Sequence, residues 1–240
     1  MKYVVKNGNA REVLAYEDEL KANGLDKDSL ADTSVHPTMK GADVYEQVRS
    51  FMSFSDLKNH MFAEQGGICC YCGCRLQYPT HPQYIVEHVY PKEKDRTLAG
   101  EYENILLSCR PTAAEEEERK DVPKKERMMF LHCDKAKGSE ILVYTPLQNG
   151  CSEYFDYDVY GGVSGKDADA CKDIETLNLN CKWLKSRRAA AIEGAIFDEE
   201  GLLLSDDELR HRLKTIMNLD AQGMYSEFCF VIQDVIRSLL

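Results

Sequence analysis

The sequence predicts an α+β protein, and three observations carry that prediction. Apolar residues recur at helical spacing toward both ends of the chain, short β-branched and aromatic runs bounded by turn residues lie between them, and cysteines bracket those runs. With 240 residues and 43% apolar content, the chain can fill one large core, or a small core with two flanks. The expected organisation is an N-terminal helical flank over residues 1–54, a small cysteine-framed core over 55–140, and a hairpin and helical region over 141–240 packed with that core.

The elements follow in order. Residues 10–22 form a peripheral helix stopped by Asn23-Gly24. A stronger helix runs over 41–54, where Val44, Tyr45, Val48, Phe51 and Met52 share a face. Ser55 then caps a second helix that reaches Gln65 and stops at Gly66-Gly67. Turn residues fill 76–82, and Tyr84 to Val89 reads as a strand that Pro91 terminates. Asn104 to Cys109 opens the next segment. Arg110 to Arg127, with Glu115 to Glu118 and Lys124-Lys125, reads as a solvated insertion. Two further strands are expected over 140–144 and 154–160, and a long helix over 173–195, broken early by Asn178 and Asn180, turns Ile174, Leu177, Trp183 and Leu184 inward. From Ser205 a capping-box pattern opens two amphipathic segments divided near Gly223. Their apolar stripe suits a core face and a partner interface equally.

Composition narrows the function. The formal charge of −11 argues against a non-specific nucleic-acid coat, because phosphate binding draws on lysine and arginine, so a nucleic-acid substrate requires a local basic surface or one lent by a partner. No uninterrupted apolar run reaches the roughly 18 residues of a membrane span, and Met1 to Arg11 is polar, which leads us to expect a cytoplasmic protein with no membrane association. In that compartment the ten cysteines stay reduced. Six of them crowd between Cys69 and Cys133, which points to metal ligation.

Cys69 and Cys72 have the two-residue gap of a knuckle that presents both thiolates to one tetrahedral zinc, and Cys109 and Cys133 can close the site across the insertion. Cys70 and Cys74 compete as ligands. Cys151, Cys171, Cys181 and Cys229 read as core residues. Within the frame lie Glu87, His88, Asn104, Asp134 and Lys137, the residue types that hydrolysis of a phosphodiester requires. His88 can serve as base, Glu87 and Asp134 can hold Mg²⁺ or Mn²⁺ with hard oxygens, Asn104 can pin the loop after His88, and Lys137 can reach a phosphate. Adjacent strand residues point to opposite faces, so Glu87 and His88 share a site only if the backbone bends there.

In order, Cys-x-x-Cys, Glu-His followed by Pro, Asn, and a final Cys carrying Asp and Lys resemble the HNH nucleases, the ββα-metal family, over residues 67–138. That resemblance implies a zinc-stabilised ββα-metal core, Glu87 as metal ligand, His88 as general base, Asn104 as loop-holding residue, Asp134 where the family has a metal-ligating His or Asn, and Lys137 in the closing helix. The long insertion between Cys109 and Cys133 and the Asp at 134 depart from the pattern. Glu-His-x-x-Pro-Lys, His-Cys-Asp-x-x-Lys-Gly, the Tyr-Phe-x-Tyr hairpin and Leu177-Asn178-Leu179-Asn180 ahead of Arg187 are similar to the PtuB-type nuclease subunits of Septu and some retron anti-phage systems. This narrower resemblance implies an endonuclease effector of a defence complex, with a PtuA-like ATPase subunit as partner, in some systems with a retron reverse transcriptase and its RNA and DNA. DNA is the expected substrate. Structured RNA such as tRNA, or a non-catalytic zinc-stabilised binding module, are the alternatives.

Overall fold

A computed structural model describes residues 1–34, 36–76, 84–111, 113–123 and 126–240. The chain is a mixed α+β protein with two small antiparallel sheets among the described residues. Helices α1 (Arg11–Ala22), α2 (Lys27–Ala31), α3 (Gly41–Val48) and α4 (Ser53–Glu64) lead into the sheet of β1 (Tyr84–His88) and β2 (Ile105–Cys109). Next come α5 (Ala113–Lys120) and the single turn α6 (Asp134–Lys137), followed by the second sheet, β3 (Phe155–Tyr157) with β4 (Val163–Gly165). Helices α7 (Ala168–Thr176), α8 (Lys182–Ile196), α9 (Asp206–Thr215) and α10 (Cys229–Leu239) complete the chain.

The first sheet is the centre. Its register sets Glu87 opposite Leu106 and His88 opposite Ile105, and every residue of β2 is buried. At the end of α4 the Gln65 side chain works like a short extra strand. Its amide nitrogen donates to the carbonyls of Ile68 and Leu107 at 2.9 and 2.8 Å, and its oxygen accepts from the Leu107 amide at 2.7 Å. Those bonds satisfy buried backbone that a two-stranded sheet leaves open on one edge.

Several sequence expectations change in the folded chain. The first helix is not peripheral: Val13, Tyr16 and Leu20 are buried, α1 packs along α4, and the Tyr16 hydroxyl donates to the Gly100 carbonyl at 2.5 Å. The expected 41–54 helix ends at Val48, and the next begins at Ser53, ahead of Ser55. Its cap comes from another element, because the Glu19 carboxylate of α1 accepts from the Met52 and Ser53 amides and from the Ser53 hydroxyl. A carboxylate at a helix N-terminus satisfies orphan N–H groups whichever part of the chain supplies it.

The strand expected over 140–144 does not form. The amides of Val143 and Tyr144 donate instead to the Asp173 carboxylate at 3.1 and 2.7 Å, so a side chain takes the place of a partner strand. The 154–160 strand shortens to β3 and turns at Gly161, where φ is +74° and an added Cβ would lie 2.2 Å from the Lys185 carbonyl oxygen. Cys171 is exposed, whereas Cys151, Cys181 and Cys229 are buried. Trp183 is half-buried and packs against the edge of the core. The turn expected over 76–82 falls, apart from Leu76, outside the described residues.

Other expectations hold. Ser205 and Glu208 form the capping box that starts α9. The long helix is interrupted at Asn178, which has a φ of +48°. Of the two final segments, α10 is core, with Val231, Val235 and Ile236 at 0% exposure, while α9 buries only Leu209.

Candidate functional site

The knuckle forms between α4 and β1. Gly73 has a φ of +81°, and an added Cβ would stand 2.6 Å from the Phe230 ring, so both the turn and the seat of α10 require a glycine there. The Cys69 amide donates to the Cys74 carbonyl at 2.8 Å, and the Gly73 carbonyl accepts from the Phe228 amide at 2.9 Å. Cys69 and Cys72 thereby face β2, where Cys109 sits at the strand end.

Cys133 reaches the same point although the charged insertion separates it from Cys109. Two residues after α7 hold the returning chain: the Asn178 amide nitrogen donates to the carbonyls of Met129 and Leu131 at 3.0 and 2.8 Å, and the Leu177 carbonyl accepts from the Cys133 amide at 2.9 Å. Within the insertion Glu116 and Glu117 on α5 are exposed, as a solvated excursion requires.

The four thiols of Cys69, Cys72, Cys109 and Cys133 all lie within 4.8 Å of one another and are buried. Sulfur separations of 3.8 Å for Cys69–Cys133 and 3.6 Å for Cys72–Cys109 are far too long for a disulfide. They suit the edge of a tetrahedron, because Zn–S bonds near 2.3 Å put the sulfurs about 3.8 Å apart. Amide groups of Cys74 and Cys109 point at the sulfurs of Cys72 and Cys69, each at 3.4 Å, and His132 Nδ1 lies 3.3 Å from the Cys133 sulfur. The cluster is thus able to hold a structural metal such as zinc, with Cys70 and Cys74 outside the ligand group.

Beside the thiols, four of the five predicted polar residues line one cleft of about 290 Å³: Glu87, His88, Asp134 and Lys137. Asp134 follows Cys133 directly, and the left-handed backbone of Cys133, φ +56°, turns the chain into α6. Glu87 is the buried hub. Its Oε1 accepts from the Tyr71 hydroxyl and lies next to Lys137 Nζ, both at 2.7 Å, and both side chains of that ion pair are 1% exposed. Burial, with the neighbouring Asp134 carboxyl in hydrogen-bonding range, pushes the Glu87 carboxyl up to about 8, against the pull of Lys137. Lys137 also donates to the His88 carbonyl at 2.9 Å, so one ammonium ties α6 to the strand end.

His88 lies 2.9 Å, through Nε2, from the Ala99 carbonyl. A carbonyl only accepts, so Nε2 carries the proton and Nδ1 keeps the lone pair. Burial, and then the Lys92 charge, lower its pKa to about 4, which keeps the imidazole neutral near pH 7. The Tyr45 ring meets it edge-on at 4.7 Å.

Asn104 stands behind the cleft. Its oxygen accepts from the Tyr90 amide at 2.8 Å, and its nitrogen donates to the carbonyls of Tyr90 and Leu98 at 2.9 and 3.0 Å. This closes the loop from His88 back to β2 and sets Ala99 against the imidazole. Glu87 and His88 themselves stay in regular register with Leu106 and Ile105 at the end of β1, and the loop that Asn104 holds follows them. Sequence reasoning missed Tyr71 and Tyr45, whose signal was only their place beside Cys70 and within a helical stripe. It also missed Ser108, whose hydroxyl accepts from the Asp134 amide at 3.4 Å.

No protein-family model matches the chain, and no curated protein matches it. Among the described residues no helix is long and apolar enough to cross a membrane.

Proposed function

We propose that the chain is a metal-dependent endonuclease of the HNH type, with zinc in the thiolate frame and Mg²⁺ or Mn²⁺ at the polar cleft. The observation that carries this reading is the convergence of a neutral, oriented imidazole with two carboxylates on one cleft. Glu87 and Asp134 fit a hard divalent cation, being acidic oxygens close enough to hydrogen-bond each other. When bound there, the cation supplies positive charge for the developing phosphorane and the leaving oxygen.

The protein's own residues do the rest. His88, held by Ala99 through Nε2, takes a proton from water at Nδ1 as the oxygen attacks phosphorus in line with the leaving 3′-oxygen. Asn104 keeps that imidazole in place by holding Tyr90 and Leu98. Lys137, 2.7 Å from Glu87 Oε1 and bonded to the His88 carbonyl, restrains α6, so Asp134 stays at the cleft wall. By resemblance, the products carry 5′-phosphate and 3′-hydroxyl ends, DNA is the substrate, and the enzyme is the cytoplasmic effector of an anti-phage complex with a PtuA-like ATPase. A net charge of −11 is in keeping with an effector that captures nucleic acid poorly until a partner presents it.

The test uses the full chain with plasmid DNA and with tRNA, with and without the ATPase, in Mg²⁺ or Mn²⁺. Cleavage that EDTA stops is expected, and His88→Ala should lower its rate by about 10²–10⁴-fold. Undiminished cutting by that variant would sink the assignment, and cutting of tRNA alone would move the substrate to RNA.

A further inference from the structure

A second cleft, of about 490 Å³, opens against the first and shares Val86, Lys92, Asp134 and Lys135 with it. Its wall is basic. Arg49 at the end of α3, Lys58 on α4, Lys92, Arg110 just after β2, and Lys135 on α6 all line it, with Asp134 as the one carboxylate among them. The chain as a whole has 41 acidic and 30 basic residues, so five cations to one anion runs against its composition. Like charges gathered on one concave surface repel each other and focus a field that only an anion relieves.

Local pairing does not spend these charges. Arg49 meets Glu46 at 3.2 Å with side chains 57% and 72% exposed, Lys135 comes no closer than 4.0 Å to Asp134, and half-buried Lys92 meets the exposed Glu93 at 3.1 Å. Exposed pairs of this kind contribute little and are easily exchanged for phosphate. The Lys58 and Lys92 ammonium groups lie over the rings of Phe54 and Tyr45, each Nζ 5.5 Å from the centroid, and both rings line this same cleft. Arg49, Lys58 and Arg110 lie away from the wall that the two clefts share. The basic track therefore leaves the polar site on one side only.

We propose that this second cleft is a phosphate track, in which Arg49, Lys58 and Arg110 hold the phosphodiesters on one side of the scissile bond. The proposal rests on the nuclease reading for the position of that bond. The track makes recognition asymmetric: phosphates on one flank of the cut carry binding energy and those on the other do not. It also gives α3 and α4, outside the cysteine frame, a task in substrate positioning.

The experiment has two arms. In the His88→Ala background, a fluorescein-labelled single-stranded oligonucleotide is titrated at several salt concentrations, with Arg49→Glu, Lys58→Glu and, as control, Lys21→Glu on the exposed face of α1. Each track reversal should weaken binding by about tenfold or more and flatten the plot of log affinity against log salt by about one unit, while Lys21→Glu changes neither. In the second arm, oligonucleotides with single methylphosphonates are cut by the active chain. Cleavage should fall for neutral linkages on one flank only, and Lys58→Glu should raise KM more than it lowers kcat.

Equal sensitivity on both flanks, unchanged affinity in both reversals, or competition by polyglutamate as strong as by DNA would each overturn the track. The two proposals fail separately. Binding with the expected salt dependence but no cutting defeats the nuclease reading alone, and His88-dependent cutting indifferent to Arg49 and Lys58 defeats the track alone.

Discussion

The thiolate frame and the polar cleft share a chain boundary, since Cys133 belongs to one and Asp134 to the other, yet they are built on opposite terms. The frame is sealed: four sulfurs, none more than 5% exposed, supported by backbone amides and by α10. The cleft opens to solvent and holds charges that oppose one another, with a carboxyl pushed upward and an imidazole pushed downward by burial. A closed, mutually satisfied cluster stabilises the fold, whereas a partly frustrated open one stores capacity for binding and proton transfer. Damage to the first should cost the structure, and damage to the second should cost the chemistry.

The most severe way to break that contrast is to open the frame. Cys72→Ser or Cys133→Ser should remove zinc and most of the stability together, because binding energy of a structural zinc, on the order of 10 kcal/mol or more, is folding energy. Metal analysis beside thermal melting reads both, and a variant that keeps full zinc and an unchanged Tm argues against the ligand set. On the other side, His88→Ala should keep zinc and Tm while losing cleavage. If its Tm falls as far as that of the cysteine variants, the two regions are not separable.

Asn178 sharpens the comparison because it serves both regions. Asn178→Ala removes two hydrogen bonds to the returning strap and places alanine in the left-handed region, at a cost of about 1–3 kcal/mol. Zinc retention and cleavage should fall together in this variant. Asn178→Gly, which tolerates the backbone, should lose less stability than alanine, and equal losses would show that the hydrogen bonds dominate.

A further contrast concerns pH. Glu87 holds its proton to about pH 8 in the folded chain, against an ordinary 4.5. A raised folded-state pKa gives stability that is fully present below 4.5 and is lost as pH rises through 8. Without added Mg²⁺, Tm should therefore fall across that window, by about 2–4 °C for each kcal/mol lost, and Glu87→Gln should flatten the slope. Parallel slopes for the two proteins would show that Glu87 is already ionised.

Legibility tracked how local each signal was. The Cys69–Cys72 knuckle, the Ser205–Glu208 box and the strand β1 were readable because ligand gap, cap spacing and a short β-branched run ended by Pro91 act within a few positions, whereas β2 and β4 were not read as strands. The helix break before Ser53 was not, because its cap is Glu19, more than thirty residues earlier. The missing strand at 140–144 was misread because Asp173, not a neighbouring strand, accepts the amides. Cys171 was misplaced since a cysteine's burial depends on which face of α7 meets β4. The basic cleft left no run to notice, because Arg49, Lys58, Lys92, Arg110 and Lys135 come from separate segments, several of them beside acidic residues.

By itself the sequence determined an α+β chain, a cysteine frame with Glu87, His88, Asn104, Asp134 and Lys137 inside it, and the absence of a long apolar span. Spacing and periodicity express short-range chemistry, so those features survive without coordinates. Only the tertiary structure decided how Cys133, already named with Cys109 from sequence, is carried back across the insertion, that Asn178 holds the strap which delivers Asp134, and that scattered cations line one wall. Such contacts depend on loop closure and on hydrogen bonds between distant segments, and linear order carries no record of those until the core has packed.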